Sequence, residues 1–155
     1  MNKKFAELMA SLEPKRKALL EIKAVTRETL PKGIPSAGVY LFSEKGTHLY
    51  VGRSNTIRKR LCRHCRPSAK HNMASFAFLL AKKECGIGKA TYRKDTSRAK
   101  QLDNPKFRKA FRYAKERIRN MDVRFVEEPE PIKQALLEIY VATVLGTPFN
   151  DFSTH

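Results

Sequence analysis

The chain has 155 residues, of which 41% are hydrophobic, and 32 Lys and Arg against 15 Asp and Glu give it a net charge of +17. This length fits one domain with an appendage, and the charge implies a polyanionic partner, either nucleic acid or an anionic membrane surface. No apolar run approaches the ~20 residues of a membrane-spanning helix, and charges interrupt the N-terminus too often for a signal peptide. Three cysteines are too few for a disulfide framework and fit a reducing compartment. We therefore predict a cytoplasmic protein that does not engage a membrane.

The first part of the chain predicts helix. Apolar residues recur at helical spacing between residues 2 and 30, with an interruption at Glu13-Pro14. A rigid loop rich in Pro and Gly follows over residues 31–35. We predict an N-terminal helical arm over residues 1–33 and a second domain over residues 34–155. Whether the arm extends from the domain, covers it or joins two copies is left open, as is the oligomeric state.

The next segment, GVYLFSEKGTHLYVG at residues 38–52, predicts a β-hairpin. A three-residue loop over residues 44–46 would place Gly46 in the left-handed conformation that glycine favours. In this register Tyr40 lies directly opposite Tyr50 on one face of the sheet. The other face would carry the aliphatic pairs Val39 with Val51 and Leu41 with Leu49. Because aromatic pairs across strands usually stabilise the sheet, the hairpin alone favours a structural role for the two tyrosines.

Further helices and a strand are predicted after the hairpin. The helices cover about residues 57–66, 74–84, 105–119 and 132–145, the strand covers residues 122–127, and a loop lies around residues 85–101. The order of elements predicts an α+β fold, in which helices flank a small antiparallel sheet of three strands.

The first of these helices carries two side chains suited to phosphate chemistry. Arg60 and His64 are four residues apart and lie on the same side of the helix. An Arg can hold a phosphate by two hydrogen bonds, and a His can transfer a proton near neutral pH. For this spacing alone, a solvated basic face is the favoured explanation. Cys62 and Cys65 lie in the same helix, but no second pair completes a zinc site, so we interpret them as thiols without a metal.

Glu138 is the only charged residue in the apolar run ALLEIYVATVL at residues 135–145. A buried carboxylate without a partner would cost several kcal/mol, so this one needs solvent, a basic group or a cation. Two interpretations remain. Glu138 either forms an ion pair with one of the many Arg, or it binds a hard cation such as Mg²⁺.

Together these residues resemble the GIY-YIG nuclease superfamily. The tripeptides at residues 38–40 (Gly-Val-Tyr) and 50–52 (Tyr-Val-Gly) are similar to its two signature triplets, with Val in place of Ile. Arg60 follows Gly52 by eight residues and His64 follows it by twelve, where the family carries Arg and then His or Tyr.

The C-terminal part continues this resemblance. Glu138 lies in an ALLE-type helix like that of the family's metal-binding Glu, and Asn150 follows it by twelve residues, like the family's closing Asn. The resemblance covers residues 38–64 and 123–150 and rests on the ordered set of spacings.

The resemblance implies a ββαβα-type core and an endonuclease that hydrolyses DNA phosphodiester bonds with Mg²⁺ or Mn²⁺. It implies that Glu138 holds the metal, that Tyr40 or Tyr50 activates a water, that Arg60 steadies the developing charge on the phosphate, that His64 assists proton transfer and that Asn150 orders the site. Two other functions stay open, a non-catalytic nucleic-acid-binding protein on the same scaffold and a nuclease that acts on RNA or branched DNA.

Residues 66–120 are not explained by the resemblance. They hold 16 Lys and Arg against four Asp and Glu, a net +12 of the chain's +17. We interpret them as a basic insertion that contacts the nucleic-acid backbone with little sequence specificity, although a solvated basic helix is the simpler alternative. The residues predicted to bind nucleic acid are Arg53, Arg58, Lys59, Arg63, Lys106, Arg108, Lys109 and Arg112.

Overall fold

The regular elements of the chain alternate between helices and a small sheet. The computed structural model describes residues 1–87 and 98–153. In chain order these residues form helices α1 (Lys3–Ala10) and α2 (Leu12–Glu21), strands β1 (Gly38–Glu44) and β2 (Thr47–Ser54), helices α3 (Ile57–Cys65), α4 (Ser75–Glu84), α5 (Arg98–Gln101) and α6 (Pro105–Asn120), strand β3 (Asp122–Glu127) and helix α7 (Pro131–Leu145).

The sheet has three strands in the order β2-β1-β3, and both strand pairs are antiparallel. With helices around it, this sheet confirms the predicted α+β fold class. Helices α3, α4, α6 and α7 and strand β3 begin and end within two residues of their predicted bounds. The loop predicted around residues 85–101 lies partly outside the described residues, and its last part forms the short helix α5.

The N-terminal helices differ from the prediction. The break falls at Ser11, whose hydroxyl donates to the carbonyl of Leu8 (2.6 Å), so the interruption predicted at Glu13-Pro14 is wrong. Pro14 lies in the first turn of α2, where the backbone N–H groups have no partner within the helix and a proline costs little. Helix α2 ends at Glu21, and Val25 forms an isolated antiparallel bridge with Val123 instead of continuing the helix.

The hairpin register is also different. The turn has two residues, Lys45 and Gly46, and both have positive φ (52° and 80°), as in a type I′ turn. A register shift next to Phe42 then pairs Phe42 with Tyr50 and Tyr40 with Gly52. The prediction that Tyr40 lies directly opposite Tyr50 is therefore wrong. The predicted pairs Val39 with Val51 and Leu41 with Leu49 are wrong too, since Val39 pairs with Arg53 and Leu41 with Val51. The two tyrosines still share one face, because Tyr50 and Gly52 are two residues apart on the same strand.

The described chain forms two compact units. The first contains Met1–Arg60 and Met121–Asn150, and the second contains Leu61–Asn120 with the residues from Asp151 onward. The unit boundaries thus fall after Arg60, Asn120 and Asn150. The division predicted after residue 33 stays a prediction. The aliphatic core of the first unit combines side chains of α2, β1, β2 and α7, namely Leu12, Leu19, Val39, Leu41, Val51, Leu137, Val141 and Ala142.

The basic insertion, residues 66–120, belongs wholly to the second unit. Helix α4 packs against α6, and the Phe78 ring contacts those of Phe107 and Phe111, with centroids 5.1 and 6.2 Å away. Burial of these aromatic rings stabilises a helical pair whose outer surface is strongly basic. Among the described residues, no helix combines the length and the apolar character that crossing a membrane requires.

Candidate active site

A cleft of about 370 Å³ opens in the first unit on the face of the sheet that carries the tyrosines. It is lined by Tyr40, Tyr50, Gly52, Arg53, Ser54, Asn55, Arg60, Gln134 and Glu138. Four of the six predicted catalytic residues, Tyr40, Tyr50, Arg60 and Glu138, are thus brought together from β1, β2, α3 and α7. His64 and Asn150 are not part of this lining.

Tyr40 forms a buried wall of the cleft. Its side chain is only 1% exposed, and its ring lies so close over Gly52 that a Cβ at that position would collide with the ring. The edge of the ring also meets Phe42, with centroids 5.7 Å apart. Burial raises the pKa of Tyr40 well above that of a free phenol, although Arg60 acts in the opposite direction. Tyr40 therefore remains a protonated phenol at physiological pH.

Arg60 is tied to both tyrosines. It lies on α3, and its guanidinium hydrogen-bonds to the phenol oxygens of Tyr40 and Tyr50. Burial disfavours the charged guanidinium, but the two phenols outweigh this effect and the pKa of Arg60 is raised. The result is a permanently charged group with a fixed position in the cleft.

Glu138 is paired with Arg53. The Arg53 Nε donates to the Glu138 Oε2 at 2.9 Å, and the exposed fractions of the two side chains are 46% and 20%. Burial raises the pKa of Glu138, whereas Arg53 and, more weakly, Arg60 favour its ionised form. The ion pair expected for Glu138 as one of two possibilities is present, and Arg53, predicted to bind nucleic acid, has its guanidinium in the cleft.

Asn150 clamps the edge of the sheet beside the cleft. Its Oδ1 accepts a hydrogen bond from the Val51 N–H and its Nδ2 donates to the Val51 carbonyl, both at 2.8 Å. The Thr147 hydroxyl donates to the same Oδ1 at 2.7 Å, which fixes the orientation of the amide. Since β2 is an edge strand, these bonds replace the strand partner that Val51 lacks on that side. The clamp lies between Tyr50 and Gly52 in sequence.

Gln134 is a site residue that the sequence reasoning missed. It is 2% exposed, and its Nε2 donates to the Asn55 Oδ1 (3.2 Å) and the Glu128 carbonyl (2.9 Å). The bond to Asn55 joins the start of α7 to the loop before α3, and the bond to Glu128 ties it to the segment between β3 and α7. A signal was present in the sequence, because Gln134 and Glu138 are four residues apart and share one face of a largely apolar helix.

His64 belongs to the second unit and has no exposed surface there. Its ring packs nearly perpendicular to that of Phe76, with centroids 6.4 Å apart. A side chain without exposed surface does not exchange protons directly with bulk water. Its role in proton transfer stays a prediction.

The residues predicted to bind nucleic acid are mostly exposed. In the second unit the exposed ones are Arg63 on α3 and Lys106, Arg108, Lys109 and Arg112 on α6. In the first unit Lys59 is exposed, and the Arg58 guanidinium donates to the carbonyls of Pro31 and Lys32, which anchors the segment before β1. Contact with nucleic acid stays a prediction for all of them.

The donor set of the cleft fits a hard divalent cation. Among the described lining residues Glu138 supplies a carboxylate, and Ser54 and Asn55 add oxygen atoms. Mg²⁺ is commonly held by one or two carboxylates, with water and substrate phosphate oxygens completing its octahedral shell. Glu138 is the residue that would hold such an ion.

Comparison with known proteins adds one match. Residues 36–86 match the family model of the GIY-YIG catalytic domain. The matched segment contains Tyr40, Tyr50, Arg60 and His64, whereas Glu138 and Asn150 lie outside it. No curated protein sequence and no solved structure matches the chain.

Proposed function

Because the chain belongs to the GIY-YIG nuclease superfamily, which implies a nuclease-type function, we propose that it is a divalent-metal-dependent endonuclease that hydrolyses DNA phosphodiester bonds. One observation supports this proposal most strongly. A guanidinium held between two phenols shares a cleft with a carboxylate, and all four groups come from different elements. Packing alone does not require this convergence of polar side chains in a small unit.

The two tyrosines have different roles in this proposal. Tyr50 is partly exposed in the cleft, whereas Tyr40 is buried and has a raised pKa. Tyr50, in its phenolate form, orients the attacking water and receives its proton, as a general base does. Tyr40 stays protonated and holds Arg60 in position.

Arg60 acts on the phosphate. The water oxygen forms a new P–O bond, one ester P–O bond breaks, and the leaving oxygen takes up a proton from bulk solvent. Negative charge grows on the phosphoryl oxygens during this step, and the Arg60 guanidinium is placed to donate hydrogen bonds to them. A cation at Glu138 would polarise the phosphate and stabilise the leaving oxygen.

The remaining polar residues position these groups. Gln134 holds the loop before α3, and Asn150 fixes the backbone of β2 next to Tyr50. We assign His64 no proton-transfer step, because its side chain has no exposed surface. The exposed bases of α6 bind phosphates of the substrate, and contacts of this kind carry little sequence information.

The proposal is tested by incubating supercoiled plasmid with the protein and Mg²⁺ or Mn²⁺. The wild type is expected to yield nicked or linear DNA, and Glu138→Gln to reduce the rate at least about 100-fold, since the loss of metal-based charge stabilisation removes several kcal/mol. Glu21→Gln, the same chemical change at the exposed end of α2, is the matched control and should cleave like the wild type.

Two outcomes would change the assignment. Plasmid left equally intact by the wild type and by Glu138→Gln would favour a nucleic-acid-binding protein without activity. Cleavage confined to RNA or to branched DNA in a substrate panel would keep the reaction and replace the substrate.

A further inference from the structure

The Arg53–Glu138 ion pair occupies the carboxylate to which the proposed function assigns the cation. Arg53 Nε lies 2.9 Å from the Oε2 of the carboxylate that would hold the cation. A guanidinium and a metal ion compete for the same oxygen lone pairs. The pair therefore has to open, at least at Oε2, before Glu138 can give both of its oxygens to a cation.

The charges of the cleft make this competition strong. Two guanidinium groups, of Arg53 and Arg60, and one carboxylate line it among the described residues. Both guanidinium groups act on Glu138. A divalent cation added to this set meets a cleft that is already positive, and in a partly buried site that repulsion is only weakly screened. Phosphate groups of a substrate supply the missing negative charge.

The two arginines differ in how firmly they are held. Arg60 is bound by two phenols, one of them fully buried. The Arg53 side chain is 46% exposed and contacts Glu138 through Nε. Arg53 is the second-last residue of strand β2, just before the loop to α3. The guanidinium end of the pair is the exposed end, so Arg53 regains hydration when it leaves Glu138, and the incoming cation replaces it as the partner of the carboxylate. Arg53 is thus the movable cation of the cleft.

We propose that Arg53 is a phosphate-binding residue stored on Glu138, and that it is exchanged for the divalent cation when nucleic acid enters the cleft. This inference rests on the proposed function. The cation takes the carboxylate, and the released guanidinium binds a phosphate of the substrate. By linkage, nucleic acid then strengthens cation binding by the same factor by which the cation strengthens nucleic-acid binding.

The exchange is tested first without nucleic acid, by titrating Mn²⁺ and following the paramagnetic signal of the free ion. Arg53→Gln removes the competitor and is expected to tighten Mn²⁺ binding at least about 5-fold, the lower end of typical coupling. Lys23→Gln, which removes the same charge from an exposed position outside the cleft, is the matched control and is expected to leave the affinity unchanged. Arg53→Lys keeps the charge and is expected to tighten binding less than Arg53→Gln does.

The second arm measures binding of a labelled duplex with phosphorothioate linkages, which keep the charge and slow hydrolysis, at constant ionic strength with and without Mn²⁺. The wild type is expected to bind at least about 5-fold more tightly with Mn²⁺, and Arg53→Gln to lose this gain. Melting curves of each variant establish that it is folded.

The outcomes separate the two proposals. If Glu138→Gln binds Mn²⁺ as the wild type does, the metal role of Glu138 in the proposed function fails. If Glu138→Gln loses Mn²⁺ but Arg53→Gln binds it no more tightly than the wild type, only the exchange is overturned. A duplex affinity gain that persists in Arg53→Gln likewise overturns the exchange.

Discussion

The cleft of the first unit and the outer face of α6 in the second unit use the same basic residue types in opposite ways. In the cleft both arginines hydrogen-bond to specific polar side chains. Arg60 contacts two phenols, and Arg53 contacts the Glu138 carboxylate. On α6 the bases are exposed, and the residues beneath them are aromatic and aliphatic. The bases exposed on α6 are Lys106, Arg108, Lys109 and Arg112.

This difference shows what a net charge of +17 does and does not reveal. Exposed bases attract a polyanion through long-range and salt-sensitive forces, and their effects are spread over many residues. A cation fixed by short hydrogen bonds in a partly buried cleft acts on one position only, with a larger effect for each residue. The partner of a base, and not its charge, separates the two classes.

The largest expected effect concerns Arg60. Arg60→Gln is expected to lower the cleavage rate by about 10²–10³-fold, as the removal of one donor to a developing oxyanion does. Lys23→Gln, an exposed change of equal charge, should leave the rate close to that of the wild type. If both variants lose activity to the same small degree, Arg60 behaves like any exposed base, and the distinction between the cleft and the α6 surface is contradicted.

The next effect concerns the close contact of Gly52 with the Tyr40 ring. A methyl group at residue 52 would have to displace a buried aromatic ring, so Gly52→Ala is expected to lower the free energy of unfolding by up to about 3 kcal/mol. Gly33→Ala is the control, because no atom lies within 4 Å of a Cβ at that position and its φ is not positive. Urea denaturation of both variants measures the difference, and equal stabilities would mean that the Tyr40 ring does not pack over Gly52.

Lys115 tests the comparison from within the second unit. It is 5% exposed, and its ammonium donates to the carbonyls of Pro67 (2.6 Å) and Ala69 (3.1 Å), so it resembles the cleft arginines more than its neighbours on α6. Lys115→Met is expected to lower the free energy of unfolding by about 1–2 kcal/mol through the loss of these bonds. Burial lowers the pKa of Lys115, because a charged ammonium is costly in a buried position. The uncharged Met side chain avoids this cost, which offsets part of the lost stability.

Lys109→Met on the exposed side of α6 is the control for this change. It is expected to alter the stability by less than about 0.5 kcal/mol, as surface substitutions usually do. A control variant as unstable as Lys115→Met would show that the buried ammonium has no special role.

The smallest effect depends on pH. Hydrogen bonds from Arg16 and then Tyr140 lower the pKa of Glu13 to about 2 from an ordinary value of 4.5. The stabilisation by this carboxylate is therefore fully present above pH 4.5 and is lost as the pH falls toward 2. The stability difference between wild type and Glu13→Gln should shrink over that window in thermal unfolding curves, and a constant difference would contradict the contact.

Much of the fold could be predicted because its signals are local. Helices α3, α4, α6 and α7 follow apolar periodicity, and Gly146, with φ of 62°, ends α7 as glycine does at many helix ends. The hairpin register could not, since it depends on positive φ at Lys45, a non-glycine residue, and on a register shift next to Phe42. The contact of the Tyr40 ring with Gly52 depends on that register.

The candidate site was predictable in part. Spacing from Gly52 pointed to Arg60, and the lone charge in an apolar run pointed to Glu138. Many arginines compete for that carboxylate, however, and only tertiary structure selects Arg53. Gln134 was overlooked because a single amide in an apolar helix is a weak signal until its partners, Asn55 and the Glu128 carbonyl, are known.

Single-turnover cleavage of a duplex at increasing protein concentration tests the central claim most directly, because it yields the rate at saturation and the half-saturating concentration together. For Glu138→Gln we expect the saturating rate to fall at least about 100-fold with no weaker binding. Replacing Lys106, Arg108, Lys109 and Arg112 by Gln should leave the saturating rate unchanged, weaken binding and reduce the slope of log affinity against log salt by about 3–4. A Glu138→Gln variant that cleaves at the wild-type rate, or a four-residue variant that loses the saturating rate, would contradict the assignment of chemistry to the cleft and backbone binding to α6.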